Sequence, residues 1–311
     1  MRQLLGKAGP FLGLLLVVVL FGALRPAQFF SVYNLQIVLM QAVPVALGAL
    51  GMTFVVIAGG IDLSIGAVVA LCAVAAAACG QGGLPIGLAA VAGIALGGLC
   101  GLGNGLLVTR LRVVPFIVTL GTMGVARGLA KWLAGNQKID ADAGFLQWWV
   151  RNVPSPAWLS VGAAVWLTAA IALLLAMLLR RTVFGLHVFA VGSNEANARL
   201  CGVPVERTKL GVYTLCGLLA GLIGVLLWGT MNVGDPTAGS GLELKVVAAV
   251  VIGGASLAGG EGSLVGALIG AVLMGVLRNG CTLTGVPDHV QDILIGAIIV
   301  VAVALDRWRQ R

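Results

Sequence analysis

One acidic residue, Asp62, stands within a long apolar sequence, in the segment Gly59–Gly66, which reads GGIDLSIG. If this segment spans a bilayer, an acid at its centre costs about 2.5–3.5 kcal/mol, so the residue needs a compensating role. A structural role is that Gly59–Gly60 break the helix and the carboxylate caps the amide of Ser64 or Ile65. A functional role is that Asp62 and Ser64 line a transport path, as residues at broken helices often do. The preference of Asp for helix caps favours the structural role.

Further polar side chains lie at or near membrane depth in the apolar segments. They can contact a polyhydroxylated solute in a water-lined path, or they can hydrogen-bond to neighbouring helices, and both alternatives stay open. The residues are Asn104, Thr119, Thr122, Asn232 and Thr237. We predict that a translocation path is lined by Asp62, Ser64, Asn104, Thr119 and Thr122.

Side chains that could hold a metal or perform catalysis are few. Asp288, His289 and Asp292 follow Pro287, but this pattern fits an ordinary helix N-terminus better than a metal site. The sequence contains no HExxH or GxSxG motif, and GGEGS at Gly259–Ser263 lacks the lysine of a phosphate-binding loop. We therefore predict no catalytic residue, no metal and no cofactor held by this chain.

The composition is that of a membrane protein. Hydrophobic residues make up 59% of the 311 residues and charged residues 10%, whereas a soluble chain carries about 25% charged residues. No charged residue lies between Asp62 and Arg110, a gap that accommodates two spans of about 20 residues each. The apolar runs are continuous, which predicts an all-α polytopic membrane protein forming one domain over 1–311.

About ten spans fit the sequence, and eight if two short ones form a re-entrant pair. With both termini in the cytoplasm, twelve of the 19 Lys and Arg residues lie on the cytoplasmic side, as the positive-inside rule requires. The loop 134–157 is then periplasmic and the loop 180–209 cytoplasmic, in a bacterial inner membrane. The predicted spans are 8–24, 37–58, 63–79, 84–107, 113–131, 158–179, 210–228, 244–258, 264–278 and 289–305.

Glycine is abundant, with 47 residues, and it recurs at intervals of four. Such stripes let helix backbones approach closely in lipid, either for static packing or for sliding during transport, and static packing is the commoner use. We predict helix-packing roles for Gly93, Gly97, Gly101, Gly105, Gly262, Gly266 and Gly270. The pair Gly217 and Gly221 has the same spacing.

The segment Arg180–Lys209 is an unusually elaborate connector. Ser193 or Asn194 can cap a short helix over Glu195–Cys201, and Gly202 stands where that helix should stop. Ala196 and Leu200 are four residues apart and share a face. We predict that another protein contacts the residues Ser193, Asn194, Glu195, Ala196, Asn197, Arg199, Leu200 and Gly202.

No energy source is visible within the chain. An ion-coupled carrier would usually show paired charges at membrane depth, and Asp62 is nearly alone there. The sequence therefore predicts a passive path that is driven from outside the chain. A self-sufficient ion-coupled carrier for a small polar solute is the alternative, and an intramembrane enzyme ranks below both.

Four segments resemble the permease subunits of bacterial ribose-type monosaccharide ABC importers. They are GGIDLSIGA (59–67), FGLHVFAVGSNEANARLCGVPVERTK (184–209), YTLCGLLAGLIGVLL (213–227) and GGEGSLVGALIGAVLMGVLRNG (259–280). Glu261 departs from the basic or neutral residue of many relatives. The resemblance implies a permease dimer, made of two copies or of two paralogues, which conducts a monosaccharide or related polyol.

The resemblance also implies partners on both sides of the membrane. Two ATPase subunits, which hold ATP and Mg²⁺, would sit in the cytoplasm and receive 193–202 as a coupling segment. A periplasmic sugar-binding protein would deliver the solute. Ribose, other pentoses, hexoses and polyols all remain open as that solute.

Overall fold

The computed structural model describes residues 2–151 and 161–310, and helices dominate both ranges. Five of the described helices are long and apolar enough to cross a membrane: Val32–Ile57, Ile86–Arg110, Ala163–Arg181, Val205–Met231 and Leu264–Leu283. A two-residue antiparallel pair joins β1 (Ile139–Asp140) to β2 (Val233–Gly234). The helices are α1 (Arg2–Leu24), α2 (Pro26–Phe29), α3 (Val32–Ile57), α4 (Ile65–Gln81), α5 (Ile86–Arg110), α6 (Pro115–Leu133), α7 (Phe145–Arg151), α8 (Ala163–Arg181), α9 (Val183–Ser193), α10 (Glu195–Leu200), α11 (Val205–Met231), α12 (Leu242–Ile252), α13 (Leu264–Leu283) and α14 (Asp288–Gln310).

Every predicted span overlaps one of these helices, although the ends differ. The span predicted over 244–258 is cut short, because α12 ends at Ile252. The chain turns there through Gly254, whose φ of 87° lies in the left-handed region that favours glycine. The start of the span predicted over 158–179 and the end of the loop predicted over 134–157 lie outside the described residues.

Glycine brings α5 and α11 into backbone contact at the centre of the fold. A Cβ built on Gly97 would lie 2.7 Å from the Cα of Gly221, and one on Gly217 would lie 2.8 Å from the Cα of Gly101. Gly93 and Gly105 also face α11, where a Cβ would meet Val225 and Leu210. These distances describe tight packing, in which even a methyl group would separate the two helices.

A second set of glycines joins α13 to α12, but it contains fewer residues than the sequence predicts. A Cβ on Gly270 would lie 2.9 Å from the Cα of Ala249, and Gly266 packs in the same way against Gly253. Gly262 is not part of this helical stripe, because Ser263 caps α13 and places Gly262 in the preceding loop. Gly262 instead contacts the side chain of Ile57.

Two helix breaks meet at one place in the fold. The first break separates α3 from α4, and the second separates α12 from α13. The N–H of Gly260, in the second break, donates to the carbonyl of Ile57, at the end of α3, over 2.9 Å. The two breaks are therefore joined by a direct backbone hydrogen bond.

Candidate coupling and translocation site

The predicted loop 180–209, which includes the predicted contact residues, contains two short helices rather than one. The sequence predicts only α10, yet α9 precedes it. Thr182 is the N-cap of α9, and its hydroxyl accepts from the N–H of Gly185 at 3.3 Å. Of the two predicted caps for α10, Asn194 is the one used: its Oδ1 accepts from the N–H of Asn197 at 2.9 Å. Ser193 is the last residue of α9.

The second helix, α10, ends close to the predicted point and presents its predicted face to solvent. It stops at Leu200, one residue before the predicted end, and Gly202 follows with a φ of 79°. Ala196 and Leu200 are both exposed, Leu200 by 86%. On the opposite side, Ala198 packs with Val191 and Val205, which fixes α10 to its neighbours.

Ion pairs connect α10 to the start of α11. Lys209 Nζ lies 2.6 Å from one carboxylate oxygen of Glu195, and Arg199 lies 3.3 Å from the other. Arg199 also pairs with Glu206. The hydrogen bond from Lys209 is the main cause that lowers the pKa of the Glu195 carboxyl, and the bond from Arg199 lowers the pKa of Glu206. Both carboxylates are therefore ionised at neutral pH.

The junction of α9 and α10 lies against both helix breaks. A Cβ on Gly192 would overlap the carbonyl of Ile57 and lie 2.7 Å from the nitrogen of Gly260. Gly260 in turn approaches Ser193, whose Cα would lie 3.0 Å from a Cβ at that position. The junction therefore contacts the breaks through backbone atoms, without an intervening flexible side chain.

Four of the five predicted path residues, all except Thr119, form one hydrogen-bonded cluster behind the first break. Asp62, which is 2% exposed, accepts from the N–H of Ser64 at 2.9 Å and from its hydroxyl. The side-chain amide of Asn104 donates to the Ser64 hydroxyl at 2.9 Å, and the Thr122 hydroxyl donates to Oδ1 of Asn104 at 2.6 Å. Thr119 is not bonded to these residues: its hydroxyl lies 3.0 Å from the carbonyl of Pro115, in its own helix, and 3.4 Å from the carbonyl of Ile61.

This cluster fits the structural role expected of Asp62, since its carboxylate caps the amide of Ser64. Reasoning from the sequence missed Tyr213, a buried residue of α11 whose hydroxyl donates to the carbonyl of Ile61 over 3.5 Å. Its position as a lone tyrosine in an apolar helix was the available signal. The structure does not bring Asn232 and Thr237 to the cluster: Asn232 accepts from Ala143, and Thr237 bonds to Asp235.

Comparison with known proteins identifies relatives over almost the full length. Residues 34–303 match the family described as branched-chain amino acid transport system / permease component. The chain is 40% identical to the ribose import permease protein RbsC of Bacillus subtilis, over 97% of this chain and 92% of that protein. It is 37% identical to RbsC of Escherichia coli K12, over 96% and 93%, and 36% identical to the fructose import permease protein FrcC of Rhizobium meliloti, over 97% and 85%.

No solved structure matches the chain. The matched segment runs from the first turn of α3 into α14, so it contains both helix breaks, the Asp62 cluster and α10. The resemblance to the permeases of ribose-type importers is thereby confirmed. The chain belongs to the family described as branched-chain amino acid transport system / permease component, and it is a multi-pass membrane permease of the ABC-importer type.

Proposed function

We propose that the chain forms the translocation path of an ABC importer for a monosaccharide or related polyol, and that separate ATPase subunits drive it through α10. The observation that carries the proposal is the position of α10. Its outer face is exposed, its ion pairs fix it to α11, and its junction with α9 touches both helix breaks. The names of the relatives, which specify ribose and fructose, support a sugar as the solute.

The proposed mechanism uses these contacts. Closure of two ATPase subunits on ATP draws two docked copies of α10 together, and the contacts of Gly192 carry that displacement to Ile57 and Gly260. The breaks then move relative to the lipid-facing helices and switch the path between outward and inward access. About 5.5 kcal/mol inverts a 1:99 equilibrium, which nucleotide-driven closure can supply.

The proposal extends to the surroundings of the chain. Both termini face the cytoplasm of a bacterial inner membrane, ten helices cross it, and a second permease copy or a paralogue completes the path. A periplasmic sugar-binding protein presents the solute at the opposite face. Asp62, Ser64, Asn104, Thr119 and Thr122 hold the first break in place at the edge of the path.

A charge on the exposed face of α10 tests the docking. Leu200→Asp or Ala196→Asp, in proteoliposomes that contain the ATPase subunits and binding protein, should abolish ATP-driven uptake, because a buried unpaired carboxylate disrupts the interface. Val183→Asp is the matched control: this residue is also exposed, at the start of α9, and should retain uptake. Undiminished uptake in both α10 variants contradicts the docking. Uptake by the chain alone, driven by an ion gradient and indifferent to ATP, would establish a secondary carrier instead.

A further inference from the structure

A cavity of about 200 Å³ lies between α12, α13 and α14, and none of its lining residues belongs to the Asp62 cluster. It is lined by Ser240, Lys245, Arg278, Asp288, Gln291 and Asp292. Lys245 is in the first turn of α12, and Asp288 and Asp292 are in the first two turns of α14. In the proposed topology all of these positions lie at the periplasmic ends of their helices.

The charged groups around this cavity do not neutralise one another by direct contact. Within the described residues, no carboxylate approaches Lys245 or Arg278 to within 4.0 Å, and Asp288 and Asp292 have no cationic partner at that distance. Groups of opposite sign thus face the same space and stay apart. This arrangement leaves donors and acceptors available to a molecule that enters between them.

The wall of the cavity also carries the side-chain amide oxygen of Gln291, to which no described residue donates. Gln291 is 5% exposed, and its amide nitrogen donates to the carbonyl of Val286 at 2.9 Å. The bond to Val286 fixes the side chain, so its oxygen is a preset acceptor rather than a freely rotating one.

We propose that this cavity is a binding site for a neutral polyhydroxylated solute as it enters the permease from the periplasm. The proposal rests on the proposed function. Two cations and two carboxylates sum to zero charge, and a sugar hydroxyl both donates and accepts, so one neutral ring satisfies both signs. An anionic ligand, such as a lipid phosphate or a sugar acid, pairs with the cations but lies against two carboxylates.

The charge balance of the site provides a test that does not depend on transport. Binding of fructose, gluconate and glucosamine to the purified permease in nanodiscs is measured by equilibrium competition. The native chain should bind fructose at least about tenfold more tightly than either charged sugar, because each of them leaves charged groups unpaired. Asp292→Asn should shift the preference towards gluconate by about tenfold, and Lys245→Gln should shift it towards glucosamine by a similar factor.

A gain of affinity for one ligand shows that the variant is folded, so loss of structure cannot imitate the expected result. Lys138→Gln removes a cation outside the cavity, where Lys138 pairs with Asp235, and should leave all three affinities unchanged. Absence of saturable fructose binding, or unchanged preferences in Asp292→Asn and Lys245→Gln, overturns the site. Because ATPase subunits are absent from this measurement, a failure of ATP coupling would contradict the proposed function and leave the site standing.

Discussion

At the scale of single residues, Asp62 organises the buried polar cluster. Its carboxylate accepts two hydrogen bonds from Ser64, and Ser64 is also bonded to Asn104. The sequence supplied both the residue and its capping role, since Gly59–Gly60 followed by Asp predicts a break and a new helix start. It could not supply the partners from α5 and α6, because those depend on how distant helices pack.

Removal of the Asp62 carboxylate should destabilise the fold. Asp62→Ala leaves the buried N–H of Ser64 without an acceptor, which costs about 1–3 kcal/mol. Asp62→Asn is the matched control, because it retains an acceptor oxygen at the same position. Thermal unfolding in detergent should give a clearly lower Tm for Asp62→Ala than for Asp62→Asn. Equal Tm values for the two variants would show that the cap contributes nothing to stability.

The carboxyl of Glu195 makes the attachment of α10 sensitive to acid. Its pKa is lowered below the usual 4.5, first by the hydrogen bond from Lys209. A depressed pKa in the folded state means that the stabilisation is complete above pH 4.5 and is lost as the pH falls through the lowered value. Amide hydrogen exchange in α10 should therefore be slow at pH 7 and accelerate as the pH falls below 4.5, beyond the intrinsic pH dependence.

The variant Glu195→Gln separates this effect from general acid unfolding. It should give faster exchange in α10 already at pH 7 and remove most of the additional change on acidification. Exchange in α5, which lies outside the ion-pair network, serves as the internal reference. A native-like exchange pattern in Glu195→Gln at pH 7 would contradict a role for the ion pairs in fixing α10.

At the scale of elements, the sequence predicted the apolar helices and missed α9. Its residues, VFGLHVFAVGS, are apolar with one histidine and lie between two basic stretches, so the whole segment reads as a connector. The signal that could have found it is the cap formed by Thr182, which precedes eleven residues without proline. The sequence also predicts that Gly262 belongs to the glycine stripe of α13. A spacing of four residues does not distinguish a helical residue from one in the preceding loop, where Gly262 lies.

The interface of α5 with α11 should tolerate no side chain at its centre. Gly97→Ala inserts a methyl group against the backbone of Gly221 and should cost about 1–3 kcal/mol through overpacking. Gly103→Ala on the same helix is the control, since nothing lies within 4 Å of a Cβ there. The Tm of Gly97→Ala should fall, while Gly103→Ala should keep or raise it. Equal effects of the two substitutions would mean that helix propensity, rather than close packing, sets the result.

At the scale of the whole molecule, one chain of contacts connects the exposed helix α10 to the buried cluster. It runs from α10 through Gly192 to the carbonyl of Ile57, and from there along the first break to Asp62. No flexible side chain lies between Gly192 and Ile57, so a displacement of one backbone would either shift the other or break their contact. The sequence shows the glycine but gives no distance to Ile57, which is 135 residues earlier in the chain.

Gly192→Ala should uncouple ATP hydrolysis from uptake. The added methyl group overlaps the carbonyl of Ile57, so the α9–α10 junction must move away from the breaks while the exposed face of α10 remains available. ATP hydrolysis by the assembled importer should then persist as uptake falls by about tenfold or more. Gly128→Ala, which introduces a methyl group into open space on α6, should leave both activities intact. Parallel loss of hydrolysis and uptake in Gly192→Ala would mean that the junction serves docking itself and does not transmit its movement.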